Sequence, residues 1–404
     1  MIDVDLDGFI ARHVTGRETS MFAGDLAAHD SELRAQIEGA SVLVIGGAGT
    51  IGSSFIRALL PYRPASLVVV DVSENGLTEL TRDLRSTDGV IVPPTYLTYP
   101  IDFGDAVFAR MFAAHGPFDI VAHFAAHKHV RSEKDRFSIE AMVSNNVLST
   151  IGLLELLLAQ PPQHFFCVST DKAANPANVM GASKKLMEEA VLAYASRLPA
   201  TTARFANVAF SQGSLPAGFL ERIARGQPLS APSDVRRYFV SPAESGQLCL
   251  AACVLGRSGE ILFPRLDEPH MMTFAAIADA LLADLGLTPV RCATEDEARA
   301  RAAARRPGDR EWPVYYFTSD TSGEKPFEEF HTADEVVDLD RFAALGVVRA
   351  TTDYDIDGIR ALAGDLRALF EREELTKEQI VAELARLVPT FDHVETGTGL
   401  DQKM

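Results

Sequence analysis

The chain has 404 residues, 47% of them hydrophobic and 23% charged, with a formal net charge of −18. That length and apolar fraction allow a large core and two or three domains, and exclude a disordered chain. An acidic surface argues against nucleic acid or an anionic membrane as the main partner, although a local basic pocket can still take a phosphorylated small molecule.

Residues 1–38 are mixed helical and polar and read as a helical extension used for packing or oligomerisation; the spacing in LAAHDSELRAQIEG predicts a helix ending at Gly39. The stretch MIDVDLDGFIARH lacks the charged-then-apolar layout of a signal peptide. No run of about 20 apolar residues stands out, so no membrane span is expected. Residues 39–210 change character. SVLVIGG, LVVVDV, FDIVAHFAA, HFFCVST and ATTARFANVAF are apolar strand candidates with helical stretches between them. That alternation predicts a Rossmann-type, doubly wound parallel sheet covered on both faces.

GGAGTIG, residues 46–52, follows the first strand and opens a helix. Gly46, Gly49 and Gly52 would let main-chain N–H groups, with Thr50 and Ile51, close on a pyrophosphate at the helix N-terminus. Asp71 ends the next strand, where a carboxylate accepts ribose hydroxyls and repels a 2′-phosphate, so NAD is expected over NADP. Asp102 follows the third strand, at the place of an adenine-facing carboxylate. Ala125 follows the fourth and would let the chain pass close to the cofactor. His127, Lys128 and His129 are consecutive and do not converge as metal ligands; no metal is expected, and Lys128 is a candidate substrate contact.

Residues 211–335 loosen into turns and a basic cluster and read as a smaller α/β substrate domain; residues 336–404 read as a C-terminal helical segment. In that segment Thr376 and Gln379 predict a capping box, followed by Ile380, Leu384, Leu387 and Val388 on one face and Pro389 as the stop. Cys167, Cys249, Cys253 and Cys292 read as small buried thiols in a reducing, cytoplasmic setting.

GGAGTIG, AAHKHV, STDKAANPANVMGASK, RFANVAFSQGS, RYF and GEKPFEE occur in that order. Together they resemble the extended short-chain dehydrogenase/reductase superfamily, and within it the UDP-N-acetylglucosamine 4,6-dehydratase branch of polysaccharide-biosynthesis proteins. The resemblance spans about residues 40–335. Ala206, Phe210 and Gln212 depart from the family's usual glycine, glycine and arginine, near the expected sugar-nucleotide pocket.

The resemblance implies a hydride relay: C4 of the sugar is oxidised by NAD, the C5 proton and the C6 hydroxyl leave, and the hydride returns to C6. Asp171 and Lys172 are adjacent ionisable groups at the C-terminal tip of a buried strand, where such sheets bind ligands. The resemblance assigns Asp171 to the hydroxyl protons, Lys172 to C5 and Thr170 to the 4-oxygen. Met180 stands where the superfamily usually has tyrosine, four residues before Lys184, the lysine that meets the nicotinamide ribose. A thioether moves no proton, so Asp171 is the expected substitute. Asn207, Ser211, Arg237, Glu324 and Lys325 are the further substrate contacts, Arg237 as a phosphate fork. The expected activity is a sugar-nucleotide 4,6-dehydratase on a UDP-N-acetylhexosamine. A 4-epimerase or oxidoreductase on the same fold, or a non-catalytic nucleotide-binding module, is the alternative. Relatives of this fold associate through helices flanking the sheet, so at least a dimer is expected.

Overall fold

The structure, a computed structural model, describes residues 5–129, 133–319, 325 and 327–393. Its first six strands are β1 (Ser41–Ile45), β2 (Ser66–Val70), β3 (Thr95–Tyr99), β4 (Ile120–His123), β5 (His164–Val168) and β6 (Ala200–Ala203). There follow β7 (Asn207–Val208), β8 (Leu229–Pro232), β9 (Arg236–Val240), β10 (Glu260–Pro264), β11 (Met271–Thr273), β12 (Thr288–Arg291), β13 (Glu311–Phe317), β14 (Val336–Asp338) and β15 (Leu345–Arg349).

The main sheet has the order β14-β15-β10-β6-β5-β4-β1-β2-β3. From β3 to β10 all neighbours pair in parallel, while β15 and β14 close the edge antiparallel. Alternation along each strand feeds two cores. In β1, Leu43 and Ile45 join the core under the helices Ala106–His115, Arg136–Val143 and Val179–Tyr194. Val42 and Val44 join the opposite core, under Thr50–Leu59, Glu74–Ser86 and Pro242–Leu255. Burial on both faces is why these strands read as continuous apolar runs. The expected Rossmann-type architecture is present, with its strand order reversing between β1 and β4.

Two small sheets, β11-β9-β7 and β12-β13-β8, carry the rest of the residue 207–317 region. They enclose a third core built around Phe219, Ile277, Leu281 and Val314. The N-terminal extension divides its contacts. Phe9, Ile10 and Val14 enter this third core, whereas Phe22, Leu33 and Ile37 pack beside the main sheet. The predicted helix before Gly39 is Asp30–Ile37, and Gly39 has a φ of +79°.

The partition by sequence differs from the fold at two places. Pro242–Leu255 and β10, within 211–335, pack on or pair with the main sheet. Residues 336–349, expected as helical, supply β14 and β15 to its edge. Val347 and Val348 are fully buried there, and so short an apolar run does not reveal helix or strand by period alone.

The helices Ile356–Phe370 and Lys377–Leu387 follow, the second closed by the predicted capping box of Thr376 and Gln379. Leu362, Leu366, Ile380 and Leu384 bury themselves in the same core as Leu154, Val191 and Tyr194. Arg360 adds a fork to Glu155 at 2.7 and 3.0 Å. The chain's own C-terminal pair thus covers helices through which association was expected; a dimer using that face would have to build on this pair or displace it.

Among the described residues one continuous helical run, Arg136–Ala159, is long and apolar enough to cross a membrane by length and composition; half of its most apolar window is buried in the fold. It contains a π-turn at Ser144–Ser149. That extra residue per turn points Asn146 inward, where its Oδ1 accepts from His127 N at 2.8 Å and its Nδ2 donates to His127 O and Ser183 Oγ, both at 3.0 Å. A π-bulge here fastens the loop after β4 to the helix that carries Met180 and Lys184.

Candidate functional site

The glycine loop after β1 is shaped by backbone contact. Gly46 has φ +78°, and a Cβ there would lie 2.4 Å from Ala125 N. A Cβ on Gly52 would lie 2.3 Å from Gly46 O. The loop and the chain after β4 therefore touch main chain to main chain, and the helix Thr50–Leu59 begins directly beyond. Asp71 ties this loop to the tip of β2: its Oδ2 accepts from Ala48 N at 3.0 Å and its Oδ1 from Ser73 N at 2.9 Å. Asp102 is exposed in the turn after β3, where its Oδ1 accepts from Gly104 N at 2.8 Å.

A cavity of about 610 Å³ opens beside this loop, at the C-terminal tips of β4, β5 and β6. Ile51, Lys128, Thr170, Lys172, Met180 and Lys184 line it. Asn207, Ser211 and Arg237 line it from the substrate side. The structure thus brings nine of the nineteen sequence-singled residues around one space. Gly46, Gly49, Thr50 and Gly52 form the adjoining loop and helix start, which Asp71 and Ala125 touch from the ends of β2 and β4, and Asp102 lies in the turn after β3. Glu324 lies outside the described residues. Lys325 is absent from the cavity wall; its Nζ donates to Asn175 O.

At the tip of β5 the chain turns through a short 3-10 segment, Asp171–Ala173. Asp171 is 4% exposed and, contrary to its expected direct role, is not among the lining residues. Its Oδ1 accepts from Thr170 Oγ1 at 2.8 Å and from Lys172 N and Nζ, both at 2.9 Å. The turn buries the aspartate and presents its two neighbours, so Asp171 meets the cavity only through Thr170 and Lys172.

Met180 is buried near the start of its helix, which Asn178 caps and where Met180 N donates to Glu133 Oε1 at 3.0 Å. Four residues on, Lys184 is 4% exposed; its Nζ donates to Val168 O at 2.6 Å and lies 3.1 Å from Met187 Sδ. Burial lowers its ammonium pKa from the ordinary range, against the pull of the Cys167 and Glu188 environment. His123, buried at the end of β4, is lowered to about 3 by burial and then by Lys184, and is a neutral imidazole. Lys128 is exposed at the rim yet crowded by the cavity walls, and desolvation lowers its pKa.

Sequence reading missed three groups. Glu328, five per cent exposed, lines the cavity with its Oε1 4.0 Å from Lys172 Nζ and 3.9 Å from Arg237 Nη2. Burial pushes its carboxyl above the usual range, and the Asp171 charge adds to this, against the opposing pull of Lys172 and Arg237. It sits in GEKPFEE, a string that looks like a charged turn when read alone. Arg222 lines the substrate side from the helix Leu215–Ala224. Arg204, fully buried, forks onto Glu188 at 2.8 and 2.7 Å and onto Glu335 at 2.8 and 2.9 Å, while Ser169 Oγ donates to Glu188 at 2.6 Å. The signal for Arg204 was its charge inside the apolar run ATTARFANVAF: a buried guanidinium requires carboxylate partners.

The cavity therefore gathers Lys128, Lys172, Arg222 and Arg237 in a chain whose net charge is −18. Among the described residues no cluster of His, Cys, Asp and Glu could hold a metal ion. The four cysteines are buried and free, and burial raises each thiol pKa.

The sequence profile described as "Polysaccharide biosynthesis protein" matches residues 42–338. An uncharacterised membrane protein of Methanocaldococcus jannaschii is 30% identical over 326 residues, covering 79% of this chain and 87% of that protein. The probable polysaccharide biosynthesis protein EpsC of Bacillus subtilis is 28% identical over 76% of this chain, which spans only 50% of EpsC's length. Among solved structures, Pen from Bacillus thuringiensis superposes with a TM-score of 0.63 at 21% identity, over 82% of this chain and 99% of Pen. DesIV, a dTDP-glucose 4,6-dehydratase from Streptomyces venezuelae, gives 0.55 at 21% identity over 82% and 97%. The UDP-Glc/GlcNAc 4-epimerase of Campylobacter jejuni gives 0.56 at 17% identity over 82% and 99%. These likenesses show that the chain shares its Rossmann-type fold with solved sugar-nucleotide epimerases and dehydratases. With the profile spanning most of its length, the chain belongs to the polysaccharide biosynthesis protein family.

Proposed function

We propose that the protein is a sugar-nucleotide 4,6-dehydratase acting on a UDP-N-acetylhexosamine, with NAD as a recycled cofactor. One observation carries the reading furthest: a lysine at the cavity wall, Lys172, stands between two carboxylates, Asp171 at 2.9 Å and Glu328 at 4.0 Å, beside the apolar Met180. An epimerase needs to move only a hydroxyl proton and a hydride. A base-and-acid set of this kind serves a reaction that also removes a carbon-bound proton.

The glycine loop fits a dinucleotide, because the space a Cβ would fill at Gly46 and Gly52 is already taken by main chain, as a close-packed phosphate loop requires. Gly49, Thr50 and Ile51 at the helix start would face the pyrophosphate, Asp71 a ribose, Asp102 the adenine end and Lys184 the nicotinamide ribose. Bound there, NAD would accept a hydride from C4 and return one to C6. The remaining work belongs to the side chains. Thr170, whose hydroxyl donates to Asp171, accepts from the sugar's 4-hydroxyl and orients it. Lys172 in its amine form takes the C5 proton once C4 is a ketone. Asp171, hydrogen-bonded to both Thr170 and Lys172, takes the O4 proton through the Thr170 hydroxyl as C4 is oxidised and holds Lys172 in position. Met180 keeps the neighbouring wall dry and holds no proton. Lys128, Arg222 and Arg237 oppose the charge of the diphosphate, while Asn207 and Ser211 line the pocket beside it.

The test is incubation of the purified protein with UDP-N-acetylglucosamine and other UDP-, GDP-, CDP- and dTDP-sugars, read by mass spectrometry. Loss of one water from the sugar nucleotide is expected. An unchanged mass with altered C4 stereochemistry by NMR would establish the epimerase reading instead. The latter has a footing in the 29% identity with UDP-glucose 4-epimerase of Rickettsia typhi, over 60% of this chain.

A further inference from the structure

We propose that Glu328 is the proton donor to the oxygen that leaves C6 of the sugar, and that Lys172 recharges it after each turnover. This rests on the dehydratase reading above.

A leaving hydroxide needs an acid within reach of the bound sugar. Asp171, the first candidate by sequence, is not at the wall of the cavity and has its Oδ1 engaged by three donors. Glu328 is at the wall. Its two cationic neighbours stand at 4.0 and 3.9 Å, beyond hydrogen-bond length, so neither locks the carboxyl in a direct bond. It is nonetheless held in place from both sides along the chain. Before it, Lys325 Nζ donates to Asn175 O, and Arg237 Nη1 donates to Lys325 O at 3.0 Å. After it, Asn175 Nδ2 donates to Glu329 Oε2 at 2.8 Å, and Arg204 donates to Phe330 O at 3.1 Å and to Glu335. A carboxyl that is buried, backed by a fixed segment and without a hydrogen-bonded partner among the described residues is equipped to exist as the acid; the upward push on its pKa agrees with this.

The proton count closes. The C5–H bond breaks and its proton goes to the neutral amine of Lys172, giving an ammonium. The electron pair forms the C5=C6 bond as C6–O breaks, and the departing oxygen takes the proton of the Glu328 carboxyl and leaves as water. As the hydride returns to C6, the Lys172 ammonium gives its proton back to C5. The proton released from O4 at the oxidation, held on Asp171 through the Thr170 hydroxyl, then passes across 2.9 Å to the Lys172 amine and from it across 4.0 Å to the Glu328 carboxylate, so all three groups return to their starting forms without outside acid or base.

The experiment compares wild type with Glu328→Gln and Glu328→Asp in D2O, using UDP-N-acetylglucosamine or whichever nucleotide sugar the wild type dehydrates. Two readouts are followed: deuterium entering C5 of recovered substrate, by NMR, and water loss, by mass. In Glu328→Gln, C5 exchange should persist within a few-fold of wild type, while water loss falls about 100-fold or more. Glu328→Asp, which keeps the acid, should recover part of that loss; an aspartate as inactive as the glutamine overturns the assignment. Unimpaired water loss in Glu328→Gln, or equal loss of exchange and elimination, also overturns it, the latter because a merely structural role would slow both. A wild type that releases no water from any nucleotide sugar overturns the dehydratase reading, and this inference falls with it. A wild type that releases water beside an unimpaired glutamine variant overturns this inference alone.

Discussion

The two walls of the cavity are built on different physics. The glycine-loop wall is made of main chain: Gly46 against Ala125, Gly52 against Gly46 O, with Asp71 lashing the loop to the next strand. The opposite wall is made of charged side chains drawn from β5, β9 and the segment around Glu328. The first kind of wall tolerates no added atom. The second tolerates shape changes but not a change of charge or protonation. Steric walls should therefore fail through stability and cofactor affinity, and electrostatic walls through the chemical step.

Substituting the strand-tip lysine tests that contrast most severely. Lys172→Ala is expected to lower net dehydration by about 1,000-fold or more while cofactor affinity, measured by titration, stays within a few-fold. Retention of product formation would remove the proposed C5 base. Parallel loss of cofactor binding would mean that the two walls are not separable.

The buried arginine behind the charged wall comes next. Arg204→Met leaves Glu188, fully buried, without its main counter-charge, at an expected cost of about 3–5 kcal/mol near neutral pH by denaturant unfolding. The pH dependence has a definite sign. Burial tends to raise the Glu188 carboxyl, but the Arg204 charge and hydrogen bonds, with Lys185 and Ser169, hold it below its ordinary 4.5. A carboxyl lowered in the folded state contributes stability that is present above 4.5 and is lost as pH falls through the folded value. The penalty of Arg204→Met should accordingly be largest near neutral pH and shrink in acid, as the stranded Glu188 takes up a proton. A penalty independent of pH would show that packing, rather than charge, dominates at this site.

On the steric wall, Gly46→Ala is expected to cost about 2–3 kcal/mol, part from the left-handed φ of +78° and part from main-chain overlap at Ala125. Denaturant midpoints and cofactor titration should move together. A variant that loses catalysis with both unchanged would contradict the steric account.

The same contrast explains what was legible in the sequence. GGAGTIG and Asp71 were readable because their partners are local, or sit at strand tips one crossover away. The sheet was readable because burial on both faces writes uniform apolar strands. The tip Thr170–Asp171–Lys172 was readable as a set of ionisable groups, yet the sequence did not show that the 3-10 turn buries the middle residue. Glu328 and Arg222 were missed because their meaning depends on partners on other elements, and neither has a local period or motif of its own. Asn146 was missed because a π-turn shifts it off the face that a regular helix would give. β14 and β15 were missed because a short apolar run beside polar residues fits strand and helix alike.

The smallest expected effect lies where the two walls meet. Thr50, in the first turn of the helix after the glycine loop, accepts from Gln212 N at 2.9 Å through its Oγ1, and that bond joins the cofactor side to the loop carrying Ser211. Phe210, just before it, holds a φ of +53° and packs edge-on against Phe9 at 5.7 Å, so the loop is also braced from the N-terminal extension. Thr50→Val keeps the volume and removes the acceptor. Gln212 is exposed, so water can replace the bond, and the cost should be only about 1 kcal/mol. That corresponds to about a fivefold rise in KM for the nucleotide sugar, with kcat nearly unchanged. If kcat fell instead, the bond would be transmitting alignment to the strand tip, and the two walls would have to be treated as one mechanical unit.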